Sequence, residues 1–275
     1  VVIRERDLSN AVVVGDSAIT AAFASTFAKG PVGSITNISS ERELIDTFGG
    51  PSEDNASDWL VASEFLQYGG RLAVVRAESG VLNATATGSG VLIKDKADFD
   101  GGVTSEVLAA RTAGTDGNYY RVVLVDRGAD EIATVAGHGL AVGATYNDGT
   151  NDHEVYTVID ANTIAIINTD GVKASANGVT TTPWYNQTSI ASTGLKLSAI
   201  GPRPGTSAFA AENHLSYDEV HVAVIDERSN AVVERFTYVS KLSDAVTAEG
   251  ASNYWRDVIN NESQYIYSAA EQTAN

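Results

Sequence analysis

Polar and apolar positions change period several times along the chain, and each change marks an expected element. Residues 1–6, Val-Val-Ile-Arg-Glu-Arg, precede a polar break at Asp7–Asn10 and read as a short extended arm ahead of a first core strand, Ala11–Val14. Ile19 to Phe27 reads as a second strand rich in small residues, closed by the turn Lys29-Gly30-Pro31. Ser40-Glu41-Arg42-Glu43 has the spacing of a capping box, so a helix is expected with Leu44, Ile45 and Phe48 on one face and Gly49-Gly50-Pro51 as its stop. Ser57 or Asp58 is the expected cap of a second helix. There Trp59, Ala62, Phe65 and Leu66 recur at helical spacing, and Gly69-Gly70 ends it before the strand Leu72–Arg76.

Farther on, Gly80 to Gly102 is small, polar and glycine-rich, and predicts a loose connection with one short strand at Val91–Ile93. The turn cluster Gly114–Asn118 feeds Tyr120–Val125, a continuous apolar run that predicts a strand buried on both faces. From Ile132 to Ser189 Thr, Val, Gly, Asn and Asp dominate. Strands at Tyr156–Ile159 and Thr163–Ile167 joined by Asp160-Ala161-Asn162 suggest an inserted all-β module. After the rigid stretch Gly201–Ser207, Glu219–Ile225 and Val232–Ser240 predict a hairpin. Ser252 is expected to cap a helix carrying Tyr254, Trp255, Val258 and Ile259 inward, and Gln264–Tyr267 reads as a last short strand. The pattern predicts an α/β (α+β) fold of mixed sheet and flanking helices with a small inserted all-β domain. The expected division is an arm over 1–10, a discontinuous α/β domain over 11–131 and 190–275, and a protruding β-rich insert over 132–189.

Composition narrows the function. The 275 residues carry 18 basic and 35 acidic side chains, a net charge of -17, so a polyanion is repelled over most of the surface and nucleic acid is not an expected partner. No apolar stretch approaches the roughly 20 residues needed to cross a bilayer, so no membrane partner is expected, and the N-terminus lacks the pattern of a signal peptide. The chain has no cysteine, which removes disulfides, thiolate catalysis and cysteine zinc sites. It also has no methionine, so the start is read as processed or incomplete.

Three short motifs mimic an SGNH (GDSL-type) ester hydrolase: Gly15-Asp16-Ser17 after an apolar strand, Gly149-Thr150-Asn151-Asp152, and Asp218-Glu219-Val220-His221. In that chemistry Ser17 is the nucleophile, His221 the base, Asp218 its orienting group and Asn151 an oxyanion donor. Strand geometry argues against it, because an offset of three along a strand sends Asp218 and His221 to opposite faces. The histidines at 138, 153, 214 and 221 lack helical metal-site spacing. The Asp148–Asp152 cluster has alternating oxygen ligands but neither the glycine nor the terminal Glu of an EF-hand loop. Asn37 and Asn186 head glycosylation acceptor triplets, which mean little without a secretion signal. No catalytic, cofactor or metal site is therefore expected. Trp184 and Tyr185 are candidate stacking residues should the insert bind carbohydrate or a receptor.

Several stretches together resemble one family. Thr20-Ala21-Ala22-Phe23-Ala24, Lys29-Gly30-Pro31, Ser40-Glu41-Arg42-Glu43-Leu44 and Thr47-Phe48-Gly49-Gly50-Pro51 are similar to the start of bacteriophage contractile-tail sheath proteins. Asp58-Trp59, Glu64–Gly70 and Leu72–Ala77 resemble that family's helix, glycine turn and strand, and Arg111–Asn118, Arg203–Ser207 and Asp218–Asp226 extend the likeness. The resemblance implies a structural subunit, not an enzyme, without cofactors. It implies self-assembly as a helical sheath in rings of six around a tail tube protein, contact with baseplate and tail terminator proteins, assembly in the host cytoplasm and a place in the virion. Family members continue into a further tube-facing domain that nothing here matches, so the chain is read as a fragment or a reduced member. Val1, Val2, Ile3, Arg4, Glu5 and Arg6 are the expected subunit contact, an arm that adds a strand to a neighbour's sheet or pairs within its own subunit.

Overall fold

The computed structural model describes residues 19–77, 80–102, 106–168, 174 and 181–269. Its first unit is built from β1 (Thr20–Ser25), β2 (Ile35–Ile38), α1 (Glu41–Phe48), α2 (Ala56–Gln67) and β3 (Arg71–Arg76). Central β3 runs parallel to β1 and antiparallel to β2. A parallel pair needs a long crossover, and α1 and α2 supply it while covering one face of the sheet. Leu72 and Val74 alternate inward from β3 to meet Phe27, Ile38, Leu44, Phe48, Trp59, Ala62 and Leu66. Leu44 and Phe48, one helical turn apart and fully buried, each contribute about 1.5–3 kcal/mol by leaving water. Gly30 sits at φ +104°, and a Cβ there would lie 2.5 Å from the Phe48 ring, so the turn residue and the core aromatic require each other.

The caps of both helices differ in detail from expectation. Ser40 Oγ accepts from Glu43 N–H at 3.2 Å, but the Glu43 carboxylate reaches one residue farther back, to Ser39 N–H and Oγ–H, both at 2.8 Å. At α2 neither Ser57 nor Asp58 caps. The helix begins one residue after Asn55, whose side chain is occupied elsewhere, accepting from Ser52 N–H at 2.8 Å and donating to Thr26 O at 2.9 Å.

The connection after Gly80 is more ordered than its composition suggests. It holds β4 (Asn83–Thr85) and a short helix α3 (Lys96–Asp100), and Val91 makes only a single bridge to Asn83 where a strand was expected. Fully buried Asn83 organises this region, donating to Ala110 O at 2.8 Å and accepting from Ile93 N–H at 2.7 Å. The helix is announced by Asp95, whose carboxylate caps Asp98 N–H at 2.9 Å. Next come β5 (Ala109–Ala113) and β6 (Tyr120–Val125). Contrary to the expectation for its apolar run, β6 is an edge strand, half-buried except at Val125.

Antiparallel strands β7 (Glu131–Thr134), β8 (Thr145–Asn147), β9 (Asp152–Asp160), β10 (Thr163–Asn168) and β11 (Thr181–Pro183) form a five-stranded sheet in the order β11-β7-β10-β9-β8. Ala133, Tyr146, Val155, Ile164 and Ile166 are the centre of its core. After α4 (Trp184–Gln187) and α5 (Ala208–Glu212), the expected hairpin forms as β12 (Glu219–Asp226) and β13 (Ala231–Ser240), with β6 on the other side of β12. The last elements are α6 (Trp255–Glu262) and β14 (Ile266–Tyr267), which pairs with β5. Ser252 does not cap α6. Its hydroxyl donates to Asp257 at 2.7 Å and the helix starts uncapped by any side chain.

Candidate functional site

The hydrolase-like residues that the structure describes, Asn151, Asp218 and His221, are each engaged in local structure. Ser17 and the arm Val1–Arg6 lie outside the described residues. Asn151 ends the turn between β8 and β9, where its backbone carbonyl accepts from Asp148 N–H at 3.0 Å. Asp218 is buried, accepting from Ser207 N–H and Oγ–H at 2.8 Å and from Ser240 Oγ–H at 2.6 Å. Burial pushes its carboxyl up, but the hydrogen bonds from Ser240 and Ser207 outweigh this and hold it below the ordinary value. His221 is fully buried in β12. Its Nδ1 accepts from Tyr238 N–H at 3.0 Å, which leaves Nε2 to donate to Pro202 O at 2.6 Å. Both ring nitrogens are therefore occupied by backbone, and a general base needs one of them free. These residues lock strands together.

The other candidates resolve in the same way. Asp148 Oδ1 accepts from Thr150 N–H and Asn151 N–H at 2.7 and 2.6 Å, and Oδ2 lies 3.3 Å from His153 Nε2. The expected oxygen cluster is thus a turn closed on itself, and among the described residues no three His, Cys, Asp or Glu are placed to hold a metal ion. His138 also serves a turn, with Nδ1 accepting from Leu140 N–H at 2.9 Å. Tyr185 is not available for stacking, being buried with its hydroxyl donating to Gly201 O at 2.9 Å. Trp184 is half-buried, edge-on to Tyr156 at 5.7 Å.

Three arginines to which the sequence reading gave no role join segments distant along the chain. Buried Arg76, at the end of β3, donates to Gly30 O at 3.1 Å and also to Ala113 O, tying the first unit to β5. Arg111 donates to Asn260 O at 2.6 Å and Ile259 O at 3.3 Å, a cation on the last turn of α6. Arg203 donates to Asp130 at 2.6 Å, Ala129 O at 2.7 Å, Arg127 O at 2.9 Å and Gly128 O at 3.1 Å, gripping the strand entry to the five-stranded sheet. A lone Arg closing an apolar strand, or set between prolines, is the signal that could have found the first and third.

What the first unit offers to other molecules is surface. Strands β1 and β2 each have a neighbour on one side among the described residues, so each keeps an open row of backbone donors and acceptors. Ile19 and Ile35, beside those edges, are 72% and 70% exposed, and Leu60 and Val61 of α2 and Tyr68 just after it are exposed too, Tyr68 at 91%. Open strand edges and exposed apolar side chains are features that serve association.

Residues 20–77 match the family model described as the N-terminal region of domain III of the tail sheath protein Gp18. The tail sheath protein of Enterobacteria phage T4 is 45% identical over 65 residues, which is 24% of this chain and 10% of that protein. The tail sheath protein of Salmonella phage ViI is 24% identical over an alignment of 273 residues, covering 85% of this chain and 43% of the relative. Among solved structures, the sheath tail protein of Listeria innocua matches over 60% of this chain and 33% of its own, at 17% identity and a TM-score of 0.25, too distant to carry an argument about the fold. The chain thus spans less than half the length of these relatives. The family model and the curated relatives are all of phage tail sheath proteins, and over residues 20–77 this chain is similar to them.

Proposed function

We propose that this chain is a subunit of a contractile tail sheath, polymerising helically with copies of itself around a tail tube and contracting to drive the tube through the host envelope. The match of residues 20–77 carries this reading. The open edges of β1 and β2 support it, because edge pairing joins subunits by main-chain hydrogen bonds that persist while side-chain contacts rearrange. Contraction is then a passage from a metastable packing to a more favourable one and calls for no nucleotide. In this reading Val1 to Arg6 are the connecting arm and 11–131 with 190–275 the sheath domain. The insert over 132–189 projects as decoration, the tube, baseplate and terminator proteins are partners, and assembly takes place in the host cytoplasm.

Electron microscopy of the purified full-length protein tests this. Hollow tubes or rings are expected, and removal of Val1–Arg6 should abolish ordered assembly while leaving the subunit folded. A strict monomer at all concentrations, or ordered assembly without the arm, overturns the respective claim.

A further inference from the structure

Among the described residues, the buried and half-buried arginines divide into two kinds. Arg76 donates to backbone carbonyls, and the less deeply placed Arg111 and Arg203 do likewise. Arg256 does not. It is 5% exposed, and its Nε, Nη1 and Nη2 are all buried without a hydrogen-bond partner. Its guanidinium lies 4.9 Å from the centre of the Trp255 ring, a contact that satisfies none of its N–H groups. A buried carboxylate or ammonium can escape such a site by becoming neutral, whereas a guanidinium stays charged and keeps five donors to satisfy. Loss of water without an acceptor is a cost the folded subunit carries alone.

Position adds a second preference of the same sign. Arg256 is the second residue of α6, whose N-terminal turn has no side-chain cap, and helical side chains lean toward the N-terminus. An uncapped N-terminus and a guanidinium both select an anion. The one acidic side chain of that turn, Asp257, is held by the Ser252 hydroxyl at 2.7 Å. The planar fork of donors fits a carboxylate in bidentate fashion.

We propose that Arg256 is an anion-binding site for an Asp or Glu carboxylate contributed by a second copy of this chain. The source follows from composition: each copy carries 35 acidic against 18 basic side chains, so a docking copy presents carboxylates in excess. This inference rests on the sheath reading for the presence of a neighbouring copy. Its consequence is a built-in bias toward assembly. The isolated subunit bears an unpaired buried cation, and docking of a neighbour, with the guanidinium uncovered to meet it, relieves that cost.

The test compares full-length wild type with Arg256→Met and Arg256→Lys. In dilute solution Arg256→Met should melt higher than wild type, since an apolar side chain of similar length replaces an unpaired charge. Sedimentation should show its self-association weakened by at least about tenfold, because a partner carboxylate is then left buried and unpaired. Arg256→Lys keeps the charge but not the fork, and its association should also weaken. A lower melting temperature for dilute Arg256→Met would place the partner in the same chain and overturn the proposal, as would unchanged association of both variants. Wild type that never associates defeats the sheath reading and this site with it. A wild type that polymerises alongside equally competent variants defeats this site alone.

Discussion

The unit over 20–77 and the junction around Arg203, Asp218 and His221 are stabilised by opposite means. In the first, Phe27, Phe48, Trp59 and Leu72 fill a small apolar core between one sheet face and two helices. Phe27 and Phe48 have ring centres 4.7 Å apart. In the second, buried and half-buried polar groups carry the connections: half-buried Arg203 to the 127–130 segment, buried Asp218 to Ser207 and Ser240, and buried His221 between Pro202 O and Tyr238 N–H. An apolar core tolerates swaps that keep volume and pattern, whereas a buried polar lock fails when one partner is lost. The first region is also the one that the tail sheath family model matches. The two regions should therefore respond differently to substitution and to acid.

The largest effect is expected in the apolar unit. Phe48→Ala should cost about 3–5 kcal/mol, since it removes a fully buried aromatic at the meeting of α1, α2 and the Gly30 turn. Denaturant unfolding measures it. A loss below about 1 kcal/mol would mean that the unit can collapse around the gap, and the contrast with the junction would weaken. Next in size is Arg203→Met, which leaves the Asp130 carboxylate with Arg127 as its remaining arginine partner and frees three backbone carbonyls. Because Arg203 is partly solvated, the expected cost is about 2 kcal/mol. Hydrogen exchange should localise it to 127–130 and the adjoining start of β7. Uniform loosening across the molecule would show that Arg203 is no local root.

How legible each region was in the sequence follows from the same physics. Periodicity exposes apolar faces, so Leu44, Phe48, Trp59, Ala62, Leu66 and Leu72 could be assigned to a core and the order helix, helix, strand could be read directly. The hairpins β9–β10 and β12–β13 were equally readable from alternation around Asp160-Ala161-Asn162 and Asp226–Asn230. Polar locks have no period. Arg76, Arg111 and Arg203 bind carbonyls up to 155 residues away in sequence, and nothing local marks the acceptor. The same blindness made Asp218 and His221 look like a catalytic pair, since residue types suited to catalysis are equally suited to bracing strands. Continuous apolarity misled in another way at β6, because it reports what a strand could bury and not whether a neighbour covers it. Here β6 is at a sheet edge with mostly half-buried residues.

The smallest expected effect concerns Asp218 and is read as pH falls. Its folded-state pKa lies below the ordinary carboxyl value, because the hydrogen bonds from Ser240 and Ser207 outweigh the opposing effect of burial. The contribution of this ionised form is therefore complete above the unfolded-state value, about 3.9 for Asp, and is lost as pH falls through the lower folded-state value. Wild-type stability should decline over that acid window, with exchange at Ser207 and Ser240 rising first. Asp218→Asn retains one acceptor oxygen but cannot titrate, so its acid decline should be shallower even though it starts less stable. The apolar unit offers the internal control: the amides of β3, flanked by Leu72 and Val74, should hold their protection through the same window. If they open together with Ser207 and Ser240, the two regions unfold as one cooperative body, and the difference in how they are stabilised does not make them separable.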